Sequence, residues 1–312
     1  MKEFYTSTEK KMLEYCTICP RECRVNRFEG GGGYCGTDAS LNIASICIHR
    51  GEEPPISGPN GICNIFFAAC NLQCIYCQNH DISRPGSGSR QKPVTLVETL
   101  DIIEGFLGQR IKGVGFVSPS HVVPQMKAII REIKARGLDP IIVYNSNGYD
   151  KPETLRSLEG LIDVYLPDYK YVTDYLSGTY SDAYDYPAMA LKALKEMYYQ
   201  LGSVLHMDED GIAERGMLIR HLVLPGHAEE SKKVLRMIAE ELSPGVHLSL
   251  MSQYHPTFQV RSHPLISRPL YRDEYRSVVE EMEKLGFCNG WVQDPDSNNN
   301  YLPDFSRKHP FE

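Results

Sequence analysis

Ile62-Cys63-Asn64-Ile65-Phe66-Phe67-Ala68-Ala69-Cys70-Asn71-Leu72-Gln73-Cys74-Ile75-Tyr76-Cys77 is the stretch on which the fold turns. Its first eight residues are almost all apolar and rich in Ile and Phe, as suits a short strand buried on both faces. A loop carrying three cysteines follows at once. Downstream the chain alternates. Thr95 to Leu107 has helical spacing, with Thr95 as N-cap and Glu98 completing a capping box. Gly113 to Val117 reads as a strand and Pro124 to Arg136 as a helix ended by Gly137. Further strands are predicted at Pro140 to Asn145, Leu161 to Leu166, Gly216 to Leu224, His247 to Met251 and Gly290 to Gln293. Helices are predicted at Lys151 to Leu158, Pro187 to Leu201, Glu229 to Leu242 and Asp273 to Leu285. Six strand–helix alternations without an internal repeat imply an α/β fold of parallel strands with right-handed crossovers. A doubly wound sheet and an open barrel both satisfy that order, and periodicity does not separate them.

Working outward, residues 1–60 read as loops and turns, with Gly30 to Gly33 and two proline-rich stretches and only a short apolar run at Leu41 to Ile48. The expected organisation is a cysteine-rich segment over 1–60, the α/β domain over 61–293, and a tail over 294–312 packed on it. In that tail Asp294 to Asn300 is expected to be a solvated turn and Tyr301 to Phe305 to dock. The 312 residues are 42% hydrophobic and 23% charged, a globular balance. Forty acidic against 33 basic residues leave a net charge of -7. That balance argues against sequence-blind nucleic-acid binding and against an anionic membrane surface. No apolar run approaches the roughly 20 residues of a membrane span. The polar N-terminus lacks a signal core, and a cytoplasmic location is expected.

Ten cysteines then need a reason. In a reducing compartment clustered cysteines point to metal rather than disulfides. Cys47, Cys63 and Cys288 stand apart and read as small buried hydrophobes. Cys70, Cys74 and Cys77 form C-x3-C-x2-C. Three thiolates can hold three irons of a cubane cluster and leave the fourth iron open to a ligand. The alternative is a structural zinc with His80 as fourth ligand. Cys16, Cys19, Cys23 and Cys35 form a second group, C-x2-C-x3-C with a distant fourth member. Zinc, a second iron–sulfur cluster and unliganded thiols all fit that spacing.

The motif with its aromatic Tyr76, placed after the first strand of an α/β domain, resembles the radical S-adenosylmethionine superfamily. Tyr144 to Gly148, Asp168-Tyr169-Lys170 and Arg220 to Gly226 resemble turns of its pyruvate formate-lyase activating enzyme branch, here with an added N-terminal cysteine segment. The resemblance implies an open parallel (β/α)6 partial barrel over residues 61 to about 293. It implies a 4Fe–4S cluster on Cys70, Cys74 and Cys77, and S-adenosylmethionine at the open iron. Reductive cleavage would give a 5′-deoxyadenosyl radical that abstracts hydrogen from a substrate. It further implies an electron donor such as flavodoxin or ferredoxin, and a glycyl-radical enzyme as candidate partner. A small molecule or a peptide is the alternative substrate. The cofactor-binding candidates are Tyr76, Ser118, Ser120, Asn145 and Asn147, and the catalytic candidates are His121, Lys170 and His255. One departure stands out. The family commonly carries G-G-E after the second strand, whereas Gly115 to His121 contains no acid. A non-catalytic iron–sulfur carrier or zinc-stabilised binding module is the rival reading.

Overall fold

The computed structural model describes residues 4–86, 94–295, 297, 302–307 and 309–311. Its N-terminal segment is more ordered than its composition suggests. Helix α1 (Ser7–Glu14) starts at Thr6, whose hydroxyl accepts from the Glu9 N–H while the Glu9 carboxylate takes the Thr6 N–H. Strand β1 (Ile43–His49) pairs antiparallel with the first predicted strand. The expectation of loops and turns for residues 1–60 is therefore corrected at α1, at β1 and again at the one-turn helix that follows. The reason is tertiary: β1 takes its ladder from a neighbour rather than announcing itself by period-2 alternation.

After β1 the chain forms the one-turn helix α2 (Pro54–Ser57), then β2 (Ile62–Phe67) and α3 (His80–Ser83). Next come α4 (Leu96–Leu107), capped by Thr95 and Glu98 as predicted, β3 (Gly113–Val117), α5 (Val123–Ala135), β4 (Ile141–Ser146), α6 (Pro152–Arg156) and β5 (Val164–Pro167). The remainder is α7 (Asp174–Ser181), α8 (Tyr186–Leu201), β6 (His206–Met207), β7 (Ala213–Leu222), α9 (Ala228–Glu241), β8 (His247–Met251), α10 (Arg272–Lys284) and β9 (Gly290–Val292). Helices α3 and α7 and strand β6, which pairs with the predicted β7, are additions to the predicted series. The strand order is β1-β2-β3-β4-β5-β7-β8-β9, with β6 on β7. From β2 to β9 every neighbour along this path is parallel, and the order runs out without closing.

Alternate strand residues go to two different cores, and this decides between the two architectures. Ile65, Phe116, Tyr144, Tyr165 and Ile219 join the large core with the helices. Ile62, Val143, Val164, Leu166 and Leu218 form a separate core, into which Ile56 of α2 inserts. A doubly wound sheet would have helices on both faces; here the second face curls around itself. The fold is an open parallel partial barrel, and the segment around α2 plugs its floor. Burying Ile56 contributes about 2 kcal/mol. Above the floor the inward positions turn polar, with Asn64, Asn145, Asp168 and Arg220. Gly115 of β3 faces Asn64, and a β-carbon there would stand 2.1 Å from Asn64 Oδ1.

Phe305 and Phe311 of the C-terminal segment lie against Phe66, with ring centroids 5.4 and 5.6 Å away. Phe311 also meets His49 at 4.0 Å. Asp296 and Asn298 to Asn300 of the expected turn, and Tyr301 of the expected docking segment, lie outside the described residues. Among the described residues no helix is long and apolar enough to cross a membrane.

Candidate metal centre

The chain leaves β2 through Ala69, whose φ of 64° turns it sharply into the cysteine loop. The loop delivers three sulfurs, each met by a polar group from a different element. Cys70 Sγ accepts from Asn147 Nδ2 at 3.2 Å and from the Leu72 N–H at 3.4 Å. Cys74 Sγ shares a hydrogen bond with the Ser181 hydroxyl at 3.0 Å. Cys77 Sγ accepts from Ser83 Oγ at 3.4 Å. Burial pushes the Cys70 thiol up to about 12 and also raises Cys74, against which the Lys170 ammonium acts. Metal binding to such a site releases protons, because the thiolate is the ligand.

No group of three or more His, Cys, Asp or Glu side chains among the described residues is arranged to hold a single metal ion. Four Zn–S bonds of 2.3 Å would bring sulfurs to roughly 3.8 Å of one another. A cubane gives each thiolate its own iron and tolerates wider spacing. The loop, with its three donor-supported sulfurs on one cavity, fits a cluster of that kind.

That cavity has a volume of about 200 Å³. Cys70, Cys74 and Cys77 line it, together with Tyr76, Ser118, Asn145, Asn147, Asp168, Lys170 and Arg220. The charged groups form an unbroken chain. Lys170 Nζ meets Asp168 Oδ2 at 2.5 Å, and Arg220 Nε meets Asp168 Oδ1 at 2.9 Å. Arg220 Nη1 meets Glu52 Oε2 at 3.2 Å, and its Nη2 donates to Asn145 Oδ1 at 2.7 Å. Asn64 Nδ2 donates to Glu52 Oε1 at 2.9 Å. Burial alone would raise Asp168, but Lys170 and Arg220 hold its carboxyl below the ordinary range.

Of the residues expected from sequence, the structure brings Tyr76, Ser118, Asn145, Asn147 and Lys170 to this wall. Ser120, His121 and His255 are not on it. Ser120 is fully buried beside Asp150 and Tyr144. His121 is fully buried as well, with Nε2 3.1 Å from the Ala68 carbonyl, and burial lowers its pKa to about 4. His255 is half-buried beyond β8. Sequence reasoning missed Glu52 and Asn64. Asn64 could have been found as the one polar residue in an apolar strand. Glu52 gives no such signal, because it reaches the barrel only through the floor plug.

The N-terminal cysteines surround a buried cation. Cys16, Cys19 and Cys35 are buried and Cys23 is half-buried. Cys23 Sγ accepts the Tyr34 N–H at 3.2 Å. Arg27, only 2% exposed, donates to Thr37 Oγ1 at 3.0 Å, to the His121 carbonyl at 2.7 Å and to Cys35 Sγ at 3.5 Å. Among the described residues it has no carboxylate ion pair; Cys35, Cys16 and Cys19 are the groups that favour its charge. Burial pushes the Cys19 thiol up to about 12, with Cys35 and Cys16 adding to the rise. Of the isolated cysteines, Cys47 and Cys63 are buried as expected. Cys288 is exposed, which corrects its reading as a buried hydrophobe: it follows α10 in the short connection to the edge strand β9.

Residues 56–178 match the family model of a 4Fe-4S single cluster domain, a segment that contains the whole cysteine loop. An uncharacterized protein of Methanocaldococcus jannaschii is 28% identical over 283 residues, covering 88% of this chain and 76% of that one. Among solved structures, Streptococcus suis SuiB bound to S-adenosylmethionine aligns at 11% identity and a TM-score of 0.49, over 76% of this chain and 52% of that one. The chain thus spans about half the length of that protein. A domain of pyruvate-formate lyase-activating enzyme from Bacteroides vulgatus aligns at 13% identity and a TM-score of 0.40, over 58% of this chain and 99% of that one.

Proposed function

We propose that the chain is a radical S-adenosylmethionine enzyme. One observation carries the reading: three sulfurs, each with its own hydrogen-bond partner, share a single cavity with an uninterrupted chain of charged and amide groups. An electron carrier has no use for such a cavity. The matched cluster-domain family supports the metal. With a 4Fe–4S cluster on Cys70, Cys74 and Cys77, the bound group would supply one electron for reductive cleavage of S-adenosylmethionine to methionine and a 5′-deoxyadenosyl radical.

The chain's own residues do the rest. Asn147, Ser181 and Ser83 orient and stabilise the three sulfurs. Lys170, held by Asp168, offers an ammonium to a carboxylate. Asn145 and Asn147 line the cavity wall, and Tyr76, whose hydroxyl accepts from Tyr171 at 2.6 Å, stiffens the loop's last turn. Glu52 supplies to the cavity an acid that Gly115 to His121 lacks, from the floor rather than from β3. The N-terminal cysteines, like those of the loop, are not arranged around a single ion, so of zinc and a second cluster the cluster is favoured there, with the thiolates offsetting the charge of Arg27. A flavodoxin or ferredoxin serves as electron donor, and a glycyl-radical enzyme is one candidate substrate.

The test is anaerobic. Protein reconstituted with iron and sulfide receives S-adenosylmethionine and dithionite, and 5′-deoxyadenosine is measured beside the Cys74→Ala variant. The wild type forms it and the variant falls to background. No product from demonstrably cluster-loaded wild type would shift the reading to a carrier.

A further inference from the structure

A second cavity, of about 220 Å³, adjoins the first and shares Glu52, Arg220, Met251 and Gln253 with it. Its own walls come from Glu53, Ser249 and Trp291. Glu53 occupies the N-cap position of α2, where a carboxylate would ordinarily accept from the helix N–H groups. It makes no such bond. Only its backbone carbonyl serves the turn, accepting from the Ile56 and Ser57 N–H groups at 2.8 and 3.1 Å. The carboxyl group turns into the cavity instead, and its Oε2 is buried without a hydrogen-bond partner. A buried acceptor left unpaired costs about 1–3 kcal/mol, so its retention in a cavity wall calls for a ligand.

The charges around it indicate which ligand. Each of the three Arg220 nitrogens already donates to a partner, Asp168, Glu52 or Asn145. Lys170 is paired with Asp168 and lines the first cavity, not this one. Two carboxylates and two cations thus offset one another across the shared wall. Glu53 is a third acid against these two cations; Arg220 opposes its charge and Ser249 hydrogen-bonds its carboxyl, and the Trp291 ring lines the same cavity. Burial raises the Glu53 pKa, opposed by Arg220 and by a hydrogen bond from Ser249 and reinforced by Glu52.

We propose that this second cavity seats the substrate, and that it recognises a cationic nitrogen, an ammonium or guanidinium group, against Glu53 and Trp291. The inference rests on the radical reading for its place beside the cluster, and it names the substrate class that the adjoining chemistry would act on. Binding of the cation favours the charged form of Glu53, so the protonated fraction gives its proton to solvent and the carboxylate pairs with the cation. No covalent bond of the ligand changes in that step.

The probe is n-butylammonium chloride, with n-butanol and sodium butyrate as neutral and anionic counterparts, titrated calorimetrically into the reconstituted full-length protein. The expected result is saturable binding of n-butylammonium that Glu53→Gln weakens about tenfold or more. Titration in two buffers of different ionisation enthalpy should show proton release in the wild type and none in that variant. Trp291→Leu, which leaves the acid in place, should weaken binding while keeping the release. Circular dichroism guards against a folding defect. Tighter binding of butyrate, or equal n-butylammonium binding by wild type and a folded Glu53→Gln, overturns the proposal. Because binding is read without turnover, the two readings fail separately: n-butylammonium binding without 5′-deoxyadenosine formation removes only the radical chemistry, and the converse removes only the cationic substrate.

Discussion

His221 shows how a single side chain ties stability to pH. It is 2% exposed on the outer face of β7, with Nδ1 2.7 Å from the Tyr169 carbonyl. Nδ1 therefore carries the proton, and Nε2 is buried with no partner. Protonating Nε2 would create a buried donor with nothing to receive it, and burial holds the pKa at about 4. The unfolded chain takes up its proton nearer 6.5. Below that pH the unfolded state binds more protons than the folded one, so stability falls as the pH drops from about 6.5 towards 4. This residue alone should cost about 2 kcal/mol between pH 7.5 and pH 5, and about 3 kcal/mol in full. Urea midpoints of wild type and His221→Gln at both pH values test it. The variant should lose that share of the pH dependence, and parallel pH profiles would refute the assignment. None of this was readable in the sequence, where His221 sits in an apolar strand and nothing shows which face it takes.

At the scale of elements, the turn after β4 fixes the amide that reaches Cys70. Gly148 has a φ of 85°, and a β-carbon there would lie 2.2 Å from the Asp168 carbonyl oxygen. The turn thus leans on the end of β5, and Asn147 is pinned between them. Gly148→Ala should cost about 2–3 kcal/mol through backbone strain and overpacking, and should lower cluster occupancy by displacing Asn147. Thermal unfolding and iron content per chain measure the two effects; an unchanged Tm would show that the turn relaxes. This motif was legible beforehand because its chemistry is local: asparagine and glycine after an apolar run mark a tight turn. The same holds for α4 with its Thr95 and Glu98, and for β3 and β8, predicted with the bounds they have. What failed to show was non-local. Strand β1 exists because β2 offers an edge, and Ser120 and His121, polar residues just past a strand, are drawn into the core by a left-handed turn at Ser118.

Over the whole molecule, the N-terminal segment is bound to the barrel through its polar groups. Arg21 donates to the Asn71 carbonyl at 2.9 Å and to the Asp182 carbonyl at 2.6 Å, Thr154 donates to the Ile18 carbonyl at 2.6 Å, and Arg27 reaches His121. A metal among Cys16, Cys19, Cys23 and Cys35 would brace this clamp beside the cluster loop. Its removal by a chelator should open the segment 16–35 to proteolysis about tenfold faster, with the barrel left resistant. Replacing Cys16 and Cys19 by alanine should remove the corresponding zinc or iron from elemental analysis. Unchanged cleavage and metal content would leave these cysteines as plain thiols. The floor plug has a different consequence, one of timing. Ile56 is made early, whereas Leu218, its partner in the inner core, is added roughly 160 residues later. At the 5–20 residues per second of synthesis, that interval is on the order of ten to thirty seconds. Throughout it the nascent chain carries a finished stopper with no vessel to close, so an isoleucine and two glutamates must stay in water until the last strands emerge around them.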